Sequence, residues 1–214
     1  MVTQQDHEYT MMGGVNRAKI GRYLSLASST ISAGLVFLLL TAVDLAKKFH
    51  LPVNVPPAVL SLVGAGAVFG ALYWLLNSYM WRWPGVTHIL KVPDLSGTWD
   101  CVGESLGPNA PVPPQWNGEV TVVQTWDKLR IRLKTAHSGS SSMAAALGYD
   151  SVDGFVLLYQ YRNDPNIVAA AAGMASHMGC AVVTITKDLK SASAEYFNGG
   201  SRLTFGKMSW TKRT

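Results

Sequence analysis

Trp99, Trp126, Tyr149, Tyr159, Tyr161 and Tyr196 offer rings on which a planar group can stack, and Arg130, Arg132, Arg162 and Arg202 offer forked donors that suit phosphate oxygens. This is binding chemistry. Catalytic patterns do not accompany it: no G-x-S-x-G, Walker loop, H-E-x-x-H or G-x-G-x-x-G with a following acidic residue occurs, and His7, His50, His88, His137 and His177 lie far apart. An enzyme is not expected. Cys101 and Cys180 are widely separated and lack metal-ligand spacing, so neither a disulfide framework, a zinc site nor any cofactor is indicated.

These residues fall in segments whose apolar positions alternate with period two. Eight such segments follow Trp83: Leu95–Ser105, Trp116–Trp126, Lys128–His137, Ser141–Tyr149, Gly154–Asn163, Gly179–Thr186, Ala192–Phe197 and Arg202–Lys212. Lys128 to Lys134 is the clearest strand, apolar on one face and basic on the other. Eight antiparallel strands close into a small barrel, which removes exposed edges and can enclose one small ligand; a β-sandwich is the alternative. Phe155, Leu157, Tyr159 and Tyr161 share one strand face and could line the interior. Taken singly, an aromatic at strand spacing is most often core, and Arg130 with Arg132 most often a solvated face. The Pro-rich stretch 106–115 reads as an extended loop. The Ala-rich stretch 163–179 reads as a helical turn across one barrel end, a plain crossover in preference to a lid.

The N-terminal part has a different composition. Tyr23 to Val43, 21 residues, and Ala58 to Trp81, 24 residues, contain no charged residue and no histidine. The first makes a helix roughly 31 Å long at about 1.5 Å per residue, enough to cross bilayer hydrocarbon. Two spans are expected. Tyr73, Trp74, Tyr79, Trp81 and Trp83 close the second with rings suited to the headgroup boundary. Arg17, Lys19 and Arg22 before the first span and Arg82 and Lys91 after the second outnumber Lys47 and Lys48 between them, which places both termini in the cytoplasm. A disordered cytoplasmic tail is expected over residues 1–22, most clearly in 1–16, then the hairpin over 23–83 and the soluble domain over 87–214. After residue 81 thirteen basic residues face ten acidic ones, a net +3 that suits a small anionic ligand better than a DNA or RNA polymer. Ser25 and Ser29 recur at a spacing of four, as do Ser28 and Ser32, and Gly66 with Gly70 form a GxxxG. Either set can pack the two spans of one chain or join separate chains.

Taken in order, the hairpin, the opening Pro93-Asp94-Leu95-Ser96-Gly97-Thr98-Trp99, Gln124-Thr125-Trp126-Asp127-Lys128, Ser140-Ser141-Ser142, Tyr159-Gln160-Tyr161-Arg162-Asn163, His177-Met178-Gly179, and Tyr196-Phe197 before Arg202 and Gly206 form one set. That set resembles the two-transmembrane β-barrel, minimal STING-like effectors of bacterial cyclic-oligonucleotide anti-phage signalling (CBASS). Gly97-Thr98-Trp99 is also similar to the G-x-W of lipocalins. The CBASS resemblance implies that a partner nucleotidyltransferase supplies a cyclic nucleotide, a cyclic dinucleotide by preference. It further implies that the cytoplasmic barrel binds it and that assembled hairpins disrupt the bacterial inner membrane. Inferred from the residues themselves, the candidate ligand-binding set is Trp99, Gln124, Trp126, Arg132, Tyr159, Tyr161, Asn163, His177 and Arg202, with Gly66, Gly70, Ser25 and Ser29 as candidates for oligomerisation. A membrane-tethered lipocalin-like barrel for an apolar molecule is the alternative, and a filled barrel that binds only protein is a third.

Overall fold

The computed structural model describes residues 5–13, 15–51, 56, 64–107, 112–152, 154–199 and 203–213. They form two compact units: Val15–Trp83, and Met1–Gly14 together with Pro84–Thr214. The helical unit is thus inserted in the sequence of the other.

Helix α1 runs Arg17–Lys48, its first turn capped by Asn16, whose Oδ1 accepts the Ala18 N–H at 2.8 Å. Its 32 residues span about 48 Å. The only residues it buries are Ser28 and Ser32, whereas Leu26, Phe37, Leu38, Leu40 and Leu45 are exposed. This is the reverse of a soluble amphipathic helix. Hydrocarbon faces outward, and several hydroxyls are satisfied along the helix itself: Ser28, Thr30 and Thr41 donate to the carbonyls of Ser25, Leu26 and Phe37. Such a helix is built for lipid. Helix α2, Ala65–Ser78, packs on α1 and leads into a 3₁₀ turn at Met80–Arg82. The early part of the expected second span, residues 58–63, lies outside the described residues.

The other unit opens with β1 (His7–Met12) and resumes with a short helix α3 (Pro84–Leu90). The strands that follow are β2 (Gly97–Leu106), β3 (Gln115–Gln124), β4 (Lys128–Thr135), β5 (Ser138–Asp150) and β6 (Gly154–Pro165). Helix α4 (Ile167–Ala171) is the helical turn expected in the Ala-rich crossover. Strands β7 (His177–Ile185), β8 (Ser191–Asn198) and β9 (Phe205–Lys212) complete the sheet. It is closed, in the order β1-β4-β3-β2-β9-β8-β7-β6-β5, with β4 also paired to β5. Each of the eight segments read from the sequence is a strand. Nine strands are described, however, because residues 7–12, expected to belong to a disordered tail, form β1.

The reason for β1 lies in the seam between β4 and β5. These strands pair only where Arg132, Leu133 and Lys134 face Ser141, Ser140 and Gly139. A bulge between Ser142 and Ala144 then bends β5 away. Strand β1 fills the opening, antiparallel to β4 at His7 and Glu8 and parallel to β5 from Tyr9 to Met12. At the branch point the Ser142 hydroxyl replaces a ladder carbonyl: it accepts the Ile131 N–H at 2.9 Å and bonds His7 Nε2 at 2.7 Å. Asp6 pairs with Arg130 at 3.2 Å, and Tyr9 is buried, its hydroxyl donating to the Thr125 carbonyl at 3.3 Å.

Replacing Ser142 with Ala leaves a buried N–H unpaired where the sheet divides. The expected loss is about 1–3 kcal/mol of unfolding free energy, read from denaturant titration of the full chain in detergent; an unchanged midpoint would mean that the hydroxyl does not hold the seam.

Candidate functional site

Alternate residues of every strand point inward, and they give the barrel two dissimilar ends. At the end where β2 starts and β9 finishes, the interior is filled. Trp99 and Trp210 meet edge to face with centroids 6.2 Å apart, near fully buried Trp126, Leu129 and Ile131. Trp99 Nε1 donates to the Leu95 carbonyl at 3.1 Å. The Gln124 amide closes this end by accepting the Leu95 N–H at 2.9 Å and donating to the Pro93 carbonyl at 3.0 Å. Trp99, Gln124 and Trp126, expected at the ligand, are therefore parts of the closed end. None of the three is among the residues that line the cavity of the opposite end.

At the other end, where β2 finishes and β3 begins, lies a cavity of about 350 Å3. Its wall is built from Ser105, Trp116, Leu133, Thr135, Ser138, Ser140, Tyr159, Tyr161, Asn163, His177, Tyr196, Asn198 and Met208, with His137 and Met174 supplied by loops. Four residues of the candidate set meet here: Tyr159, Tyr161, Asn163 and His177. Asn166 ties two loops of the mouth together. Its amide donates to the Ala136 carbonyl at 2.9 Å, its backbone N–H to that of His137 at 2.9 Å, and its Oδ1 caps α4 at Ala169. That fixes the turn carrying His137.

Part of the lining is already hydrogen-bonded. Ser105 Oγ and Tyr196 OH are 2.7 Å apart, Trp116 Nε1 donates to Tyr196 OH at 3.4 Å, and Tyr161 OH donates to Asn198 Oδ1 at 2.8 Å. Another part is not. Ser140, Tyr159 and Asn163 are 5, 5 and 8% exposed, and their side chains make no hydrogen bond among the described residues. Ser140 and Asn163 stand directly opposite each other on β5 and β6. Burial, then the neighbouring Tyr161 and Cys101, raise the Tyr159 pKa above the usual phenol value, so its O–H stays a donor. Burial likewise pushes the Cys101 thiol up to about 12, which keeps it protonated and inert. These polar groups border an open space.

The expected guanidinium groups are elsewhere. Arg132 is exposed on the outer face of β4, because its neighbours Ile131 and Leu133 take the inward positions. Arg130 is engaged by Asp6 and Arg162 by Asp164, at 3.2 and 3.0 Å. Arg202 lies outside the described residues. Among the described lining residues, the side chains that can carry positive charge are His137 and His177. Trp116 is the main residue missed in sequence. Its signal was its place as the first inward aromatic of a strand whose later inward positions are Val120, Val122 and Gln124.

In the helical unit Gly66, Gly70, Ser25 and Ser29 all face outward, with nothing among the described residues within 4 Å of a Cβ built on either glycine. The face that α1 buries is the other one, Ser28 and Ser32.

The family description for the Cap15 cyclic dinucleotide receptor domain matches residues 90–212, and that for the Cap15 TM helices matches residues 18–82. CD-NTase-associated protein 15 of Yersinia aleksiciae is 40% identical over 210 residues, 97% of this chain and 98% of that protein. The chain belongs to the Cap15 family. The Cap15 receptor match takes in β2 to β9 and the whole described cavity lining, while β1 lies outside both Cap15 matches. The Cap15 TM match agrees with the outward hydrocarbon of α1 and makes this a membrane protein.

For Gln124→Ala, two buried backbone groups lose their partners, and a loss of about 1–3 kcal/mol in stability is expected, measured by thermal unfolding in detergent. A variant as stable as the parent would show that the amide does not close that end of the barrel.

Proposed function

We propose that this chain is a CBASS effector whose barrel cavity binds a cyclic dinucleotide and whose hairpins, brought together on binding, disrupt the bacterial inner membrane. The observation that carries the reading is the cavity of a Cap15 receptor domain lined by Ser140, Tyr159 and Asn163, whose side chains make no hydrogen bond among the described residues. Hydroxyl and amide groups of this kind can meet base edges, ribose hydroxyls and phosphate oxygens. Aromatic walls suit the bases. With no Lys or Arg in the described lining, the phosphates are met by neutral donors and by His137 and His177 at the mouth. A receptor needs no more than this, and a catalytic step is not part of the proposal.

Two spans with both termini in the cytoplasm are supported by the sharing of one barrel between β1 and β2 to β9. The chain before α1 and the chain after Trp83 then lie on one side of the bilayer, which requires an even number of crossings. The excess of Arg and Lys at the ends makes that side cytoplasmic. Assembly is supported by the small-residue faces at Gly66 and Gly70 and at Ser25 and Ser29, which the packing of α1 with α2 leaves unused. A ligand that binds the assembled state more tightly shifts the equilibrium by that difference in affinity.

Calorimetric titration of the full chain in detergent with cyclic di-AMP, cyclic di-GMP and cyclic di-UMP is expected to find one that binds, with its linear form weaker. Asn163→Ala is expected to reduce that affinity about 10- to 100-fold, equivalent to about 1–3 kcal/mol, and Arg132→Ala to leave it unchanged. Binding of apolar compounds alone would favour a lipocalin-like barrel. For the membrane step, Gly70→Leu is expected to abolish dye release from liposomes while nucleotide affinity is kept; leakage at the parental rate would remove the GxxxG face from assembly.

A further inference from the structure

Three glycines stand directly across the ladder from three rings of the cavity: Gly103 from Trp116, Gly179 from Tyr161 and Gly206 from Tyr196. Each ring occupies the space that a Cβ on its glycine would need. At Gly179 and Gly206 the added carbon would also meet a backbone carbonyl, of Phe197 or Glu104, so these two serve the sheet as well as the ring. Gly103 is different. The three atoms nearest its Cβ are Cζ2, Cε2 and Cη2 of the Trp116 indole, consecutive atoms of the six-membered ring, so the carbon would sit on the ring face. Gly103 is not at a positive φ, and the three atoms nearest an added carbon all belong to the indole.

The indole is therefore held on two sides. One face lies flat on the wall at Gly103. Its Nε1–H reaches Tyr196 OH at 3.4 Å, with the Tyr196 ring edge-to-face at 6.1 Å and 64°. Trp116 also lines the cavity. A large, rigid π-face fixed against a wall is the arrangement that stacks a planar base at little entropic cost.

Resting on the receptor reading above, we propose that Trp116 is the stacking platform for one nucleobase of the cyclic dinucleotide and that Gly103 is the specificity-determining residue that sets its depth. Any side chain at position 103 lifts the indole off the wall into the space the base would take. Ligands whose bases offer a broad ring face, the purines, gain most from the platform and lose most when it is raised.

The test uses the full chain in detergent, calorimetric titration with cyclic di-AMP, cyclic di-GMP and cyclic di-UMP, and three variants checked for thermal unfolding: Gly103→Ala, Trp116→Leu and the double. Each single substitution is expected to weaken binding of the preferred nucleotide roughly 10- to 100-fold, as loss of one base stack does. The double variant should bind no more weakly than Trp116→Leu if the methyl acts through the indole. Parental affinity in Gly103→Ala or in Trp116→Leu would overturn the proposal, as would additive losses in the double variant. Should Gly103→Ala fail to fold, Trp116→Leu still decides the matter. If the parent chain binds none of the three nucleotides, the receptor reading falls and this inference with it, an outcome distinct from parental binding that survives the substitutions.

Discussion

A sheet can hold a polar cavity inside a small domain only if it has no free edge, and closure is the constraint on which this barrel depends. Strands β2 to β9 each pair with the next in sequence, and β9 pairs back to β2. The weak place is the β4–β5 seam, three residue pairs long before the bulge turns β5 aside. Closing it with β1 joins residues more than 130 positions apart in the chain through the His7–Ser142 bond. The barrel therefore takes strands from both sides of the membrane segment. A loop-closure cost that large is offset by burying Tyr9 and by supplying partners to the free edges of β4 and β5.

The closed end and the open end differ in what their inward side chains can satisfy. Trp99 and Gln124 find backbone partners, and the closed end is filled by packed side chains. Ser140, Tyr159 and Asn163 do not, because the glycines opposite Trp116, Tyr161 and Tyr196 let those rings lie back against the wall and leave space between them. The cavity follows from three cross-strand pairs of glycine with an aromatic. Its electrostatics follow from the alternation of β4 and β6, which turns Arg130, Arg132 and Arg162 outward. Burying a guanidinium in a cavity of this size without a carboxylate would be costly. A site of neutral donors avoids that cost in the absence of ligand and recognises shape and hydrogen-bonding pattern more than charge.

In α1 polarity is inverted: Ser28 and Ser32 are inside, while Leu26, Leu35, Phe37 and Leu38 are outside. Lipid supplies no drive to hide hydrocarbon, so close packing and hydroxyls set the contacts, and the serine stripe that packs is the one at Ser28 and Ser32. Ser25 and Ser29, one position round the helix, face out.

Much of this was determined by the sequence alone. The charge-free stretch of α1, the period-two alternation of all eight strands after Trp83, and the inward face of Tyr159 and Tyr161 are local properties, written in residues a few positions apart. So was the absence of catalytic or metal-binding motifs. What the sequence could not decide is which inward residue ends at which mouth of the barrel. Trp99, Trp126 and Tyr159 carry the same period-two signature, yet two are packed core and one lines the cavity. The register across the strands makes that difference, since it sets Gly103 against Trp116 and Gly179 against Tyr161. Strand β1 was hidden for a related reason. Six residues with one buried aromatic have no local drive to be a strand, and His7–Met12 becomes one only where a bulge far along the chain opens a seam of matching length. Local pattern fixes which way a side chain points. Only the closed tertiary structure fixes what it meets there, because those neighbours are brought together by the barrel and not by the chain.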